Sequence, residues 1–275
     1  MGVGKALVIC LMLAGCNATR SWAQSAAVPL SSAHAHNDYE HDRPLLDALD
    51  RGFCSVEADI YLVKGELLVG HDFRDLKPGR TLQKLYLDPL RERVRQGGGR
   101  VYPGGPVFQL LIDFKMAGED TYRELRGVLA EYDEMLCGMR DGGFDERAIQ
   151  IVISGDRPKE AILADPSRRV GIDGRLSDLG SELADHDLPL ISDRWSSHFQ
   201  WRGDGEMPLA EQGRLKEIVR RAHEAGRRVR FWATPEKEAV WQVLLDSGVD
   251  HLNTDQLDRL RKFLLSAQET ESPKA

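Results

Sequence analysis

The chain has 275 residues, with 37 basic and 44 acidic side chains, and its formal net charge is −7 at pH 7. This acidic balance argues against a nucleic-acid-binding protein, which would be basic, and against adhesion to anionic lipid by charge alone. The length suits one large domain, and (β/α)8 barrels contain about 250 residues. The sequence leaves the oligomeric state open.

The first residues have the pattern of a targeting segment. Residues 1–15 contain one basic side chain, Lys5, and an apolar run, and they end in Leu-Ala-Gly before Cys16. This predicts a signal peptide that is too short to span a bilayer as a helix. The ending resembles a bacterial lipobox, which implies an exported lipoprotein, tethered through an acylated Cys16 on the periplasmic or extracellular side of a membrane. An ordinary signal peptide cut after Ala23 is the alternative, and 16–32 is predicted to be a linker.

Eight short apolar segments alternate with helical patterns along the rest of the chain. Several are continuous apolar runs, which favours strands covered on both faces, as in a parallel sheet. The predicted strands are Ser32–His36, Cys54–Ile60, Val107–Phe114, Ile149–Ser154, Arg169–Ile172, Pro189–Ser192, Arg228–Ala233 and Asp250–Asn253. Eight strands with intervening helices predict an α/β fold, a single (β/α)8 TIM barrel over 33–267, followed by a disordered tail at 268–275.

The connections include two departures from this alternation. Tyr61–Val69 predicts a hairpin with Lys64-Gly65 at its turn. Arg74–Pro106 is predicted to be a small insertion over one end of the barrel, after the second strand, with a helix at Leu82–Gln96. The other predicted helices are Pro44–Arg51, Tyr122–Met139, Pro158–Ala164, Leu176–Ala184, Leu209–Ala225, Glu236–Ser247 and Gln256–Ala267.

Acidic side chains gather where the predicted strands end. Glu57 and Asp59 are one residue apart on a strand, so both point the same way, and Asp113 ends the next strand. Three neighbouring carboxylates repel one another unless a cation lies among them, and their oxygens suit Mg²⁺ or Ca²⁺. Lys115 lies on the same side as Asp113 and can bind a phosphoryl oxygen. A structural network of acids with lysines or arginines is the alternative.

Histidines follow two of the same segments. His36 ends the first strand and His71 follows the hairpin, so we expect both to lie beside the acidic cluster. Imidazoles titrate near neutral pH, so one can remove a proton while the other donates one. His34 is predicted to support this site rather than to react. Trp232, at the end of the seventh strand, is predicted either to wall the pocket or to belong to the core.

An ordered set of segments resembles the glycerophosphodiester phosphodiesterase and phosphatidylinositol phospholipase C superfamily, and within it the altered-inheritance-of-mitochondria protein 6 branch. The segments are Ala35–Tyr39, Pro44–Gly52, Val56–Asp59, Gly65–Asp72, Phe231–Thr234 and Gly248–Asp255. The resemblance implies a metal-dependent phosphoric diester hydrolase that acts on a glycerophosphodiester- or phospholipid-like substrate. His36 and His71 match the family's two histidines, and Glu57 and Asp59 match its metal acids.

Two features differ from typical glycerophosphodiesterases. Asn37 stands where these enzymes have an arginine that contacts phosphate, so Asn37 is the candidate substrate contact at that position. Asp113 and Lys115 resemble the Asp-x-Lys pattern of spider sphingomyelinase D rather than Glu-x-Lys. These differences leave the exact substrate open.

Two other functions compete with this one. His34-Ala35-His36 resembles the His-x-His metal pair of amidohydrolase-like or histidinol-phosphatase-like barrels, although the later predicted strands end without a further histidine. The second is an exported barrel that binds a phosphorylated ligand without cleaving it, because a fold alone does not imply catalysis. A general acid and a general base would be superfluous in such a binding protein.

Overall fold

The computed structural model describes the backbone of residues 27–271 and the side chains of 27–269. Predicted residues 1–15, most of the predicted linker and the end of the predicted tail therefore lie outside the described residues. The strands are β1 (Leu30–Ala35), β2 (Phe53–Val63), β3 (Glu66–Val69), β4 (Phe108–Phe114), β5 (Gly138–Arg140), β6 (Gly143–Asp145), β7 (Ile149–Gly155), β8 (Val170–Gly174), β9 (Leu190–Arg194), β10 (Arg228–Trp232) and β11 (His251–Thr254).

Eight of these strands form a closed parallel barrel, as the sequence predicts. Their order around the barrel is β1-β2-β4-β7-β8-β9-β10-β11, and β11 pairs with β1 to close it. β3 is added antiparallel to β2, and β5 and β6 form a separate hairpin. All eight predicted strands are confirmed as members of the barrel, whose described part begins slightly before 33 and ends slightly after 267.

Helices cover the outside of the barrel. They are α1 (Leu46–Leu49), α2 (Asp88–Gln96), α3 (Gly118–Ala130), α4 (Lys159–Ala164), α5 (Trp195–His198), α6 (Leu209–Glu224), α7 (Glu238–Asp246) and α8 (Leu257–Glu271). Among the described residues, no helix is both long enough and apolar enough to cross a lipid bilayer.

Three predicted helices are wrong in extent. The last helix, α8, continues to Glu271, so residues 268–271 are helical rather than part of a disordered tail. Leu176–Ala184 forms only the 3-10 turn Leu176–Asp178, because the Asp178 carboxylate accepts the backbone N–H of Arg175 at 2.8 Å and closes a short turn. The helix predicted over Tyr122–Met139 ends at Ala130, and the β5–β6 hairpin follows it.

The segment Arg74–Pro106 does not lie over an end of the barrel, which corrects the prediction. Asp88 of α2 accepts a hydrogen bond from Tyr132, just beyond α3, at 2.8 Å. Tyr102 donates to the carbonyl oxygen of Phe53, at the start of β2, at 2.8 Å. The segment therefore runs along the outside of the barrel as the crossover between β2 and β4, which parallel strands require.

The inside of the barrel is mostly polar. Alternation along the strands directs Leu110 and Ile112 towards the helices, and Leu111 and Asp113 inwards. A small apolar layer of Leu111, Val152 and Leu190 crosses the barrel, separate from the main core. Buried polar and charged side chains lie on either side of this layer, so the barrel carries ionisable groups to the face where its strands end.

Candidate active site

The β2–β3 hairpin brings His71 back to the acidic strand. Lys64 and Gly65 have φ of 51° and 81°, the positive values of a two-residue I′ turn, which confirms the predicted turn. After β3, the backbone N–H of Gly70 donates to the carbonyl oxygen of Asp59 at 3.1 Å. His71 consequently has its Nδ1 3.2 Å from Asp59 Oδ2, and its side chain is half exposed at the mouth of the barrel.

Closure of the barrel pairs His36 with Asp255. Ala35 lies opposite Thr254 in the β1–β11 register, and His36 Nδ1 lies 2.7 Å from Asp255 Oδ1. The backbone N–H of Asp255 is held by Glu236 at 2.9 Å. Burial opposes protonation of the imidazole, but the Asp255 hydrogen bond and the charge of Glu57 outweigh it and raise the pKa of His36.

The three predicted acids meet at the mouth. Asp59 lies opposite Asp113 in the β2–β4 register, and one ligand oxygen from each of Glu57, Asp59 and Asp113 lies within 4.8 Å of the others. Asp113 approaches the backbone of β7 closely, because a Cβ on Gly155 would lie 2.6 Å from Asp113 Oδ1. The site thus depends on a glycine at 155, whose φ is +69°.

Basic side chains form ion pairs with some of the carboxylate oxygens. Lys115 Nζ lies 2.7 Å from Asp59 Oδ2 and 3.3 Å from Asp113 Oδ1. Arg230 donates to Glu57 Oε2 at 2.6 Å, and both side chains are almost fully buried. The ion-pair network considered from the sequence is therefore present, and it occupies one oxygen of each carboxylate.

The acidic cluster could hold a divalent cation. Asp59 Oδ1 is buried and has no hydrogen-bond partner, which is costly unless something else compensates it. Burial and the charge of Glu57 raise the pKa of Asp59, and burial raises the pKa of Asp113 to about 6. When ionised, the two carboxylates of Asp59 and Asp113 carry more negative charge than the single ammonium of Lys115 neutralises, and a carboxylate-bound cation would offset the excess.

Tyr39 connects the acids with His71. Its hydroxyl donates to Asp59 Oδ2 at 2.6 Å and lies 3.2 Å from His71 Nδ1 and 2.9 Å from Asn37 Oδ1. Burial and the charge of Asp59 raise the pKa of Tyr39, so the phenol stays protonated and remains a donor. Asn37 adopts a left-handed conformation with φ of 44°, which asparagine tolerates, and its amide oxygen faces this tyrosine.

His34 is fully buried and supports the site through its contact with Glu57. Its Nδ1 is 2.7 Å from Ser55 Oγ and its Nε2 is 3.3 Å from Glu57 Oε2. Burial and the positive charge of Arg230 lower the pKa of His34 to about 3, so the ring is neutral near pH 7. With both nitrogens engaged, His34 has no free ligand atom for the metal pair of a His-x-His hydrolase.

Trp232 ends β10 at the same face and is half-buried. The guanidinium of Arg194, its register partner on β9, lies 5.6 Å from the Trp232 ring centroid. Three residues of the site were given no function from the sequence: Tyr39, Arg230 and Asp255. The inward alternation of Arg228, Arg230 and Trp232 was the available signal for Arg230.

The fold is that of the glycerophosphodiester phosphodiesterase and phosphatidylinositol phospholipase C barrels. A glycerophosphodiester phosphodiesterase from Agrobacterium tumefaciens matches 85% of this chain and 99% of its own, with a TM-score of 0.54 and 15% identity. A calcium-dependent phosphoinositol-specific phospholipase C from Pseudomonas sp. matches 85% of this chain and 92% of its own, with a TM-score of 0.53 and 11% identity.

Sequence comparison assigns the family. Residues 23–98 match the AIM6-like phosphodiesterase domain, and 228–258 match the glycerophosphoryl diester phosphodiesterase family. Altered inheritance of mitochondria protein 6 from Eremothecium gossypii is 33% identical over 85% of this chain and 69% of its own length. A homolog from Arthroderma benhamiae is 27% identical over 84% of this chain and 82% of its own. The chain belongs to the altered inheritance of mitochondria protein 6 family.

These relatives correct the predicted location. They are fungal proteins named for mitochondrial inheritance, so the prediction of an exported bacterial lipoprotein with a signal peptide and an acylated Cys16 is wrong. The prediction rested on a match to four residues, Leu-Ala-Gly-Cys, after a short apolar run, and such short motif matches carry a high risk of false positives. The predicted membrane tether depended on the same motif and is therefore not supported either.

Proposed function

We propose that the chain is a phosphoric diester hydrolase that depends on a divalent cation, Mg²⁺ or Ca²⁺, and acts on a glycerophosphodiester- or phospholipid-like substrate. The observation that carries the proposal is the position of His36 and His71 beside an acidic cluster in which Asp59 Oδ1 is buried without a partner. The names of the similar solved structures, both phosphodiester-cleaving enzymes, support the same class of reaction.

In this proposal the chain's own groups bind the phosphoryl group and move protons. Lys115 contacts a non-bridging phosphoryl oxygen, and its ammonium stays charged because Asp59 and Asp113 outweigh the burial that opposes it and raise the pKa of Lys115. One histidine removes a proton from water or a neighbouring substrate hydroxyl, and the other protonates the leaving alkoxide. Asn37 and Trp232 line the part of the barrel mouth where the substrate binds.

Glu57, Asp59 and Asp113 would hold the cation, because one carboxylate oxygen from each lies within 4.8 Å of the others. When bound, such an ion stabilises negative charge on phosphoryl oxygens as a Lewis acid. Carboxylate ligands favour Mg²⁺ or Ca²⁺ over zinc. Tyr39 and Lys115 orient Asp59 for this role through the hydrogen bonds to its Oδ2.

A substrate panel tests the proposal. Glycerophosphodiesters, phosphatidylinositol, lysophospholipids and bis(p-nitrophenyl) phosphate are each incubated with the protein after EDTA treatment, with and without Mg²⁺ or Ca²⁺. We expect turnover of at least one diester, loss after EDTA and recovery with one of the two ions. Binding of these diesters without cleavage of any would instead favour a binding protein, and activity restored only by zinc would favour another metallohydrolase.

Asp255→Asn is expected to shift the pH–rate profile. The hydrogen bond that the His36 imidazole donates to Asp255 favours the protonated ring, so its loss lowers the pKa of His36 and moves the limb set by His36 to lower pH. Activity at the optimum should fall about 10- to 100-fold, the cost known for losing a carboxylate that orients a metal-ligating histidine. The matched control is Asp258→Asn, three residues on, whose carboxylate pairs with Arg51 on the surface. If the pH–rate profile of Asp255→Asn is the same as that of the wild-type protein, Asp255 has no functional effect on His36.

A further inference from the structure

Two arginines stand on the rim of the barrel beside the acidic cluster. Arg157 follows β7 and Arg175 follows β8, so both lie at the face where the strands end. Arg157 Nη1 donates to the carbonyl oxygen of Gly155 at 3.2 Å, whereas its Nε is buried with no hydrogen-bond partner. The side-chain hydrogen bonds that Arg175 makes within the described residues all use Nη1.

The acidic side chains near Arg157 form ion pairs with lysines instead. Asp113 pairs with Lys115 at 3.3 Å. Asp178 pairs with Lys159 at 3.0 Å. Among the ion pairs within residues 27–269, Arg157 therefore has no carboxylate of its own.

The third nearby acid is fixed inside the barrel. Asp173 is 1% exposed, and it accepts hydrogen bonds from Ser154 at 2.7 Å and Ser192 at 2.6 Å. Arg175 also donates to it at 2.7 Å. This arrangement anchors the Arg175 guanidinium through Nη1, and its Nη2 and Nε make no hydrogen bond within the described residues.

A partly buried, unpaired cation next to a second cation is unfavourable. Burial and the charge of Arg175 lower the pKa of Arg157, although a guanidinium stays charged in proteins. Two forked guanidiniums with unused N–H groups match the oxygens of a phosphate group better than a single carboxylate does. An anion between them would satisfy the donors and offset the repulsion.

The two arginines lie close enough to the candidate reaction centre for one small substrate to reach both. Asp113 is opposite Ser154 in the β4–β7 register, and Arg157 comes three residues after Ser154. Neighbouring strands are about 4.8 Å apart, so β8, which Arg175 directly follows, lies about 10 Å from β4. A phosphate held there would be joined to the phosphodiester at the acids by a linker of a few atoms.

We propose that Arg157 and Arg175 form a subsite for a second phosphate on the substrate, so that the preferred substrates are phosphodiesters that also carry a phosphomonoester. This rests on the proposed function and narrows its substrate class. The subsite would recognise the group beyond the bond that is cleaved, and Arg157, whose charge has no partner in the described chain, would contribute most to the preference.

Glycerophosphoglycerol, with and without a phosphate on its terminal hydroxyl, provides a matched pair of substrates. We expect the wild-type protein to have at least tenfold higher kcat/KM for the phosphorylated diester, the effect expected when charge-assisted hydrogen bonds are gained. Arg157→Gln should lower this preference at least tenfold, and Arg157→Lys should retain part of it. The control Arg202→Gln, at an exposed position, should keep the full preference.

The two proposals fail in different ways. Equal kcat/KM of the wild-type protein for both diesters, or equal losses on both in Arg157→Gln, would overturn the subsite while leaving the hydrolase intact. If the wild-type protein cleaves no diester, the hydrolase proposal fails, and calorimetric binding of the phosphorylated diester then decides the subsite. Binding that is no weaker in Arg157→Gln than in the wild-type protein would overturn it, and thermal unfolding of each variant excludes misfolding as the cause.

Discussion

His36→Ala and His71→Ala are each expected to lower kcat by about 10²- to 10⁴-fold, the contribution of a positioned general acid or base. Both rings lie at the rim of the barrel, where His71 is half exposed and His36 is held by Asp255. Their removal therefore opens no cavity in the main core, and the thermal unfolding temperature should stay close to that of the wild-type protein.

The leaving group separates the two roles. p-Nitrophenolate leaves without protonation, whereas a glycerol alkoxide requires a proton. The variant that lacks the general acid should therefore lose much less activity on bis(p-nitrophenyl) phosphate than on a glycerophosphodiester. The variant that lacks the base should lose activity on both.

His223→Ala provides the control, because His223 lies on α6 and pairs with Asp250 away from the acidic cluster. It should leave both activities unchanged. Near-normal turnover by either His36→Ala or His71→Ala would remove that histidine from the acid–base pair, and identical losses on both diesters in both variants would mean that neither is the acid.

Local pattern was sufficient to predict the barrel and the acidic cluster. The eight strands are short apolar runs, and their type depends on burial on both faces rather than on distant partners. The period of two along β2 was enough to direct Glu57 and Asp59 to the same side. A hairpin turn with Lys64-Gly65 was likewise a local signal.

The pairing of charges inside the barrel could not be predicted in this way. Arg230 and Glu57 are 173 residues apart, and His36 and Asp255 are 219 apart. Such contacts depend on how far the strands are staggered when the sheet closes, which no single segment encodes. The path of Arg74–Pro106 was missed for a related reason, since its helix resembles an insertion until its packing against the α3 region is known.

Arg230→Met is expected to destabilise the protein by about 3–5 kcal/mol, because it leaves the buried carboxylate of Glu57 without its guanidinium partner. Urea unfolding at pH 8 measures the change in the free energy of unfolding. The double variant Glu57→Gln/Arg230→Met should be less destabilised than the sum of the single variants, because it leaves no unpaired charge. Arg220→Met, on an exposed surface pair with Glu217, should remain close to wild type.

The pH dependence and the cation sharpen this test. Despite burial, Arg230 and His34 lower the pKa of Glu57 below its ordinary value of 4.5, so the pair stabilises the fold above that pH and loses its effect as Glu57 is protonated in acid. The deficit of Arg230→Met should therefore be largest above about pH 4.5. If Glu57 also binds the proposed ion, saturating Mg²⁺ or Ca²⁺ should stabilise Arg230→Met more than the double variant, which keeps only Asp59 and Asp113 as ligands. An equal response of both variants would exclude Glu57 as a ligand, because only the single variant retains its carboxylate.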